Sequence, residues 1–223
     1  MITTSTLGKA AGVSAVVAGL LFVSVQIGHP HLELASVSTT EWIVRNTMKV
    51  AMAALSLAGI TGIYLRQVRQ LGILGLVGYV LFSTAYLVMM SVAFVAGYVL
   101  PSLAGTSPAY VNDVLAMASG GTVVGDIGAL AVTNLVSAVT YLAGGVIFGI
   151  AVFRAGILAR WAAALLAAGT LAALAVPLVP HLVDRLIAFP TGIALVGLGI
   201  SLWRSIAPQA TTENAHAERL AVR

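Results

Sequence analysis

Cysteine is absent from this chain of 223 residues, and charged side chains make up only 8% of it. Without cysteine there is no disulfide, no thiolate metal ligand and no thiol nucleophile. With so few charges the chain cannot cover the surface of a water-soluble globular domain. It is instead 60% hydrophobic, with a mean hydropathy of +1.04, and this composition predicts an integral membrane protein.

The hydrophobic residues fall into runs of about 20, each long enough to cross a bilayer core as a helix. They show no period-2 alternation, so we predict helices rather than barrel strands. The expected fold is an all-α bundle of six transmembrane helices in one domain, residues 1–204, followed by a polar cytoplasmic tail, residues 205–223. The predicted spans are residues 10–28, 42–65, 72–100, 126–153, 158–179 and 186–203. In the first span, Gly12 and Gly19 share one side, which predicts a closely packed neighbouring helix.

The charged residues give this predicted bundle an orientation. The basic residues at one end are Lys9, Arg66, Arg69, Arg154, Arg160 and Arg204. The positive-inside rule places that end, with both termini, in the cytoplasm. The outer end then holds Glu33, Glu41, Asp113, Asp126 and Asp184, together with His29, His31 and His181. Because the basic residues occur singly rather than in a patch, no nucleic-acid partner is expected.

The span at residues 126–153 carries a regular polar stripe. At about 100° per residue, one face holds Asp126, Thr133, Asn134, Ser137, Thr140 and Tyr141. Polar groups are costly against lipid, so this face should point into the bundle. The stripe either bonds to neighbouring helices or lines a pocket with Asp126 at its mouth. Asp126 could also simply cap the helix.

The second span begins with charges at helical spacing. Ser38 and Glu41 form a capping-box pattern that predicts a helix start near Thr39. Glu41, Arg45 and Lys49 follow at successive i,i+4 steps. In one interpretation Arg45 and Lys49 reach the lipid headgroups, with Trp42 at the membrane interface. In the other, Glu41 faces inward as a pocket acid held by Arg45.

Two resemblances add to this interpretation. Leu158-Ala159-Arg160-Trp161-Ala162, the segment from Phe189 to Leu195 and the opening Leu7-Gly8-Lys9 resemble a widespread bacterial family of small multi-span membrane proteins without an assigned function. That resemblance implies a place in the bacterial inner membrane. A looser one, based on size, span number and acids at helix ends, is to small integral-membrane terpene cyclases. In such enzymes intramembrane carboxylic acids are thought to protonate an olefin or epoxide, which implies those roles for Asp126, Glu41 and Asp184.

We therefore expect an enzyme that cyclises a lipid-soluble prenylated or terpenoid substrate by protonating it, without a metal or cofactor. Asn112-Asp113 lacks the remainder of an Asp-rich diphosphate-binding motif, which fits a diphosphate-independent reaction. Asp126 would be the proton donor, with Glu41 or Asp184 as its partner, and aromatic faces would shield the cation. The predicted substrate contacts are Arg45, Trp42, Tyr86, Phe94, Asn134, Ser137, Tyr141 and His181.

Three other functions remain open from the sequence. A small transporter or proton-coupled carrier would have charge at the membrane midplane and broken helices. A metal or haem site could form from His29, His31 and His181 with Asp184 or Glu41. A non-enzymatic accessory or sensor protein would need no such chemistry. The predicted partners are the lipid bilayer and a hydrophobic prenylated small molecule, and the sequence leaves the oligomeric state open.

Overall fold

The computed structural model describes residues 2–28, 32–178 and 184–206, and within these ranges it contains helices and no β-strand. The α-helices are α1 (Thr4–Ser24), α2 (Leu34–Val37), α3 (Thr40–Arg66), α4 (Val68–Phe94), α5 (Leu100–Leu103), α6 (Pro108–Ser119), α7 (Leu130–Ala155), α8 (Arg160–Ala172) and α9 (Phe189–Ser205). A π-helical turn, Val95–Val99, joins α4 to α5. Two 3-10 segments, Ala173–Leu178 and Asp184–Ala188, lie between α8 and α9. The all-α prediction is confirmed for the described part of the chain.

Six of these helices form a closed ring. In order around the ring they are α1, α3, α4, α7, α8 and α9, and α9 packs against α1 again. The short helices lie at one end, where α2 contacts α3 and α6, and α6 also contacts α5 and α7. We call this the capped end. Glu33, Glu41, Asp113 and Asp126 belong to it, so the predicted gathering of acidic residues is confirmed for these four.

Five helical stretches are long and apolar enough to cross a membrane: Thr4–Ser24, Thr40–Arg66, Val68–Leu103, Leu130–Ala155 and Arg185–Ser205. A sixth apolar stretch, Arg160–Val176, is shorter. Large apolar side chains point outward from the helical ring, as a surface surrounded by lipid requires. The chain is therefore an α-helical bundle of the membrane type.

The helix ends differ from the predicted spans by a few residues. The first helix begins at Thr4 instead of residue 10, because the Thr3 side chain accepts a hydrogen bond from the Thr6 amide and caps it. The α3 start is as predicted, but Thr39 rather than Ser38 is the cap, accepting from the Trp42 amide at 3.2 Å. The fourth span was predicted from residue 126, whereas α7 begins at Leu130.

The third span does not end before Pro101, as the sequence predicted, but continues to Leu103. Proline has no amide hydrogen, and its ring collides with the carbonyl four residues earlier, here that of Gly97. The π-helical turn, which contains Gly97, lies just before Pro101 and widens the backbone there. At the other end of the span, α4 is interrupted at Gly72, where φ is 57°, so the predicted start coincides with a real break.

Glycines bring α1 and α9 into close contact. A methyl group on Gly12 would lie 3.0 Å from the Gly199 carbonyl oxygen, and one on Gly19 would overlap that of Gly192. The two pairs are reciprocal, since methyl groups on Gly192 and Gly199 would meet the Gly19 and Gly12 carbonyls. The predicted close approach at Gly12 and Gly19 is confirmed, with α9 as the neighbour.

Candidate functional site

A cavity of about 310 Å³ lies inside the helical ring towards its capped end. This volume is at the lower end of the range for small-molecule sites. Along α3 the lining runs from Trp42 to Met52, which is about 15 Å of helix. The walls come from α1, α3, α4, the π-helical turn, α5, α6, α7 and the 3-10 segment before α9. The cavity is therefore a slot roughly parallel to the helices.

Most of the cavity wall is apolar. Apolar side chains in the wall include Phe22, Val25, Met52, Met89, Val92, Ala93, Val114 and Leu115. The polar side chains are Gln26, Asn46, Lys49, Asn134 and Arg185. Among the described residues the lining thus includes two cations and three amides, and neither Asp nor Glu. An apolar slot with a few hydrogen-bond donors is typical of a site for an amphiphilic molecule.

Trp42 forms part of this wall rather than of the membrane interface. Its side chain is only 3% exposed, and its Nε1 donates a hydrogen bond to the Ala96 carbonyl at 2.7 Å. Ala96 belongs to the π-helical turn, so this bond fixes α3 to the irregular part of the long third span. Asn46, one turn further along α3, donates from Nδ2 to the Trp42 carbonyl at 2.9 Å. The interpretation of Trp42 as a lipid-facing interfacial residue is wrong.

Arg45 and Glu41 form the predicted ion pair, but on the outside of the cavity. Arg45 Nη2 lies 3.0 Å from Glu41 Oε1, and the Glu41 side chain is 58% exposed. Arg45 Nη1 also donates to the Ile27 carbonyl at 2.8 Å, so it binds the chain just after α1. Neither residue lines the cavity, whereas Lys49 does. The prediction that Lys49 extends to the headgroups is therefore wrong.

Asp126, the predicted proton donor, lies in the loop before α7. It is exposed, and its Oδ1 accepts a hydrogen bond from the Gly128 amide at 2.7 Å. The N-cap of α7 is Ala129, which makes no side-chain capping bond, so the interpretation of Asp126 as a helix cap is wrong. Asp126 is not among the cavity-lining residues.

The polar stripe of α7 faces the interior, as predicted. Thr133, Asn134, Ser137 and Tyr141 are half-buried, whereas Leu135 is 63% exposed. Part of the stripe lines a pocket and part of it bonds to a neighbouring helix, as the two interpretations from the sequence proposed. Asn134 lines the cavity, while Tyr141 donates from its hydroxyl to Thr191 Oγ1 at 3.2 Å and so connects α7 to α9.

The predicted aromatic contacts lie apart from the cavity. Tyr86 is fully buried, and with Tyr141 it surrounds Phe82, whose ring centroid is 4.8 Å from that of Tyr86 and 5.7 Å from that of Tyr141. Phe94 points outward, is 52% exposed and packs on Tyr98. None of these rings is in the cavity wall, nor is Ser137. Of the predicted substrate contacts that lie in the described part of the chain, the cavity wall brings together only Trp42 and Asn134.

The remaining predicted site residues lie at the edge of the described chain or beyond it. His29, His31 and His181 lie outside the described residues. Asp184 begins the 3-10 segment before α9, but its side chain is also outside the description. Its neighbour in the chain, Arg185, lines the cavity. Among the described residues no three His, Asp or Glu side chains are grouped as a metal site.

Lys49, Met52 and Met89 are among the cavity residues that sequence reasoning missed. Lys49 carried a usable signal, since a lysine about nine residues into an apolar helix is an intramembrane charge and thus a functional candidate. The methionines carried none, because an apolar residue in an apolar helix does not reveal which face it occupies.

Comparison of the chain with protein-family models, with curated proteins and with solved structures found no match. The class of the protein therefore rests on its own geometry. That class is an α-helical membrane bundle with an internal, mostly apolar cavity at one end.

Proposed function

We propose that this protein is a membrane-embedded binding protein for an apolar or amphiphilic small molecule, held in the cavity between α1, α3, α4 and α7. The observation that carries the proposal is the cavity itself, which is apolar over most of its wall and has its polar groups concentrated in a few side chains. Interiors of folded proteins are otherwise packed with few voids larger than a water molecule. A cavity of this size with donor groups in its wall is thus a default binding-site candidate.

Filling the cavity should abolish binding without disturbing the helical ring. Ala93 is buried and lies in the cavity wall, so Ala93→Phe places a ring in the open space. We expect a lipophilic molecule to co-purify with the unmodified protein and to be lost from the variant. The measurement is mass spectrometry of organic extracts, normalised to protein.

Ala138→Phe is the matched control, because Ala138 is exposed on the outer face of α7. It adds the same ring on the lipid side and should leave the retained molecule unchanged. Equal retention by both variants, with both proteins monodisperse, would refute a binding role for this cavity.

Protonation-initiated terpenoid cyclisation is a narrower hypothesis for the same site. Of the three proposed acids, Asp126 and Glu41 are exposed and do not line the cavity. Asp184 precedes Arg185, which does line it. A cyclase mechanism in this protein would therefore depend on Asp184 as the acid, with Trp42 as the aromatic face beside the substrate.

We also propose that all six ring helices cross the membrane, with both termini in the cytoplasm. This is supported by the basic residues at the end opposite the cap, including Arg66, whose guanidinium donates to the Ser205 carbonyl. Because the chain has no cysteine, single cysteines report accessibility cleanly. An impermeant thiol reagent added to intact cells should label Thr106→Cys, and should label Gln70→Cys only after lysis.

Gln70, in the first turn of α4, is a better reporter of the inner side than Gln67, the residue that joins α3 to α4. Gln67 is fully buried, whereas Gln70 and Thr106 are exposed. Labelling of Gln70→Cys in intact cells together with protection of Thr106→Cys would reverse the orientation.

A further inference from the structure

We infer that the cavity recognises a lipophilic molecule through one neutral hydroxyl group, which donates to Asn46 Oδ1 and accepts from the side-chain amide of Asn134. This inference rests on the proposed binding function and specifies the head group of the ligand. Asn46 is the residue that carries it, since this polar side chain lines the cavity and is only 4% exposed. Side-chain polar groups buried to this degree in proteins are nearly always hydrogen-bonded.

The orientation of the Asn46 amide is fixed by its one hydrogen bond. Its Nδ2 donates to the Trp42 carbonyl at 2.9 Å. A carbonyl can only accept, so the bonded end of the amide is the nitrogen and the other end is the oxygen. No residue in the described ranges donates to that oxygen. The group that Asn46 offers to the cavity is therefore an acceptor, and the ligand has to supply a donor.

The Asn46 side chain is also held in place by packing. A methyl group on Gly97 would lie 2.8 Å from the Asn46 Cβ, so the asparagine packs directly against the backbone of the π-helical turn. The same turn accepts the hydrogen bond from Trp42 Nε1 at the Ala96 carbonyl. Asn46 is thus fixed before a ligand arrives, and little conformational entropy is lost when its oxygen accepts a hydrogen bond.

Asn134 lies at about the same depth on another wall of the cavity. Trp42 on α3 and Leu130 on α7 pack in one apolar cluster at the capped end. Asn46 and Asn134 each follow these residues by four positions, which is one helical turn and about 6 Å further inward on the same face. Both asparagines line the cavity, and the ring places α4 between their two helices. Their amides therefore approach the cavity from two sides at one level.

A hydroxyl group is the smallest neutral group that suits both amides, because it donates one hydrogen bond and accepts others. It can donate to Asn46 Oδ1 while its oxygen accepts from the Asn134 amide. An ether or an ester can accept but cannot donate, so it leaves the Asn46 oxygen without a partner. Lys49 and Arg185 also line the cavity, but each already interacts with another part of the protein. Recognition of the hydroxyl depends on the two amides alone.

The remainder of the slot suits the apolar part of such a molecule. Met52 lies six residues beyond Asn46 on α3, about 9 Å further from the capped end, and Met89 lines the cavity from α4. Methionine side chains adapt to irregular or mobile partners. The wall thus provides neutral hydrogen-bonding groups at one level and an apolar surface beyond it.

Trp42 provides the readout, because it lies in the cavity wall one helical turn from Asn46. The chain has three tryptophans, and the other two, Trp161 and Trp203, are exposed at the opposite end. Trp161→Phe with Trp203→Phe leaves Trp42 as the only indole. The full-length protein is placed in nanodiscs of zwitterionic lipid. Quenching of Trp42 is then titrated with a brominated medium-chain alcohol and with the methyl ether of the same alcohol.

We expect the alcohol to quench Trp42 at a mole fraction in the disc about tenfold lower than the ether. Both compounds can accept from Asn134, but the ether leaves the buried Asn46 oxygen without a donor. A tenfold difference corresponds to about 1.4 kcal/mol, which is within the cost of one buried acceptor left unsatisfied.

Two variants should respond differently. Asn46→Leu removes the acceptor, so the ratio between ether and alcohol should fall from about ten to about one. Asn134→Leu removes a donor that both compounds use, so it should weaken both by about fivefold and preserve their ratio. Asn112→Leu is the matched control, because it makes the same replacement at an exposed position of α6 and should change neither affinity. If Asn46→Leu does not fold, the ratio in the unmodified protein and in Asn134→Leu tests the inference.

The outcomes separate the two proposals. Equal quenching by alcohol and ether in the unmodified protein overturns recognition of a hydroxyl and leaves the binding function intact. A preference for the alcohol that survives Asn46→Leu, or affinities that Asn134→Leu does not lower, overturns the assignment of these two residues. No quenching by either compound, or quenching that Ala93→Phe does not remove, overturns the binding function and this inference with it.

Discussion

Gly19→Ala should destabilise the bundle by about 3 kcal/mol, although alanine is normally the better helix residue. A methyl group there would overlap the Gly192 carbonyl oxygen and lie 2.9 Å from the Val196 amide nitrogen. Both are backbone atoms of α9, which cannot rotate away as a side chain can. The two helices would have to move apart, and this would disrupt the packing that closes the ring between α1 and α9. Thermal unfolding in detergent, followed by size-exclusion chromatography, measures the effect.

Gly8→Ala is the control on the same helix. A methyl group at Gly8 would meet only the flexible end of the Ile206 side chain, which can move. Both variants gain the same helix propensity, so the difference between them isolates the contact with the α9 backbone. If Gly19→Ala is as stable as Gly8→Ala, α1 and α9 are not packed through their glycines.

Phe82→Ala should cost roughly 2–4 kcal/mol, whereas Phe94→Ala should cost less than about 1 kcal/mol. The two phenylalanines lie on the same helix, but Phe82 is fully buried between Tyr86, Tyr141 and Phe148, and Phe94 is 52% exposed. In a membrane, lipid is as apolar as the protein interior, so moving a phenylalanine ring from lipid into the interior contributes little to stability. The loss at Phe82 comes from the cavity left behind and from the missing ring contacts.

The same thermal unfolding assay compares the two variants. The Phe94 variant is the control, because it removes the same atoms from the outward face of α4. Equal losses at Phe82 and Phe94 would show that the aromatic cluster does not hold α4 against α7.

Much of the fold could be predicted from the sequence because membrane helices are defined by length and hydrophobicity. The glycine contacts of α1 and the inward face of the polar stripe on α7 could be predicted for a related reason. Periodicity fixes which residues share a face, and the cost of polar groups in lipid fixes where that face points. Neither argument depends on knowing the neighbouring helices in detail.

The cavity could not be predicted, because its position depends on how six helices meet. Asp126 was chosen for the site on the assumption that α7 begins there, but the helix begins four residues later and leaves the carboxylate in an exposed loop. One of the two interpretations directed Lys49 to the headgroups, since a sequence cannot tell whether a lysine near a helix end turns outward or inward. Packing decides between the two, and here it directs Lys49 to the cavity.

The π-helical turn at Val95–Val99 also affects how this protein would be compared with relatives. Such a turn places one more residue in the helix than regular α-helical geometry would. A relative with a regular helix at this point would therefore be one residue shorter near the C-terminal end of its third hydrophobic stretch. An alignment of the two should open a single-residue gap inside a membrane helix, and forcing it closed would assign every residue beyond the turn to the wrong face.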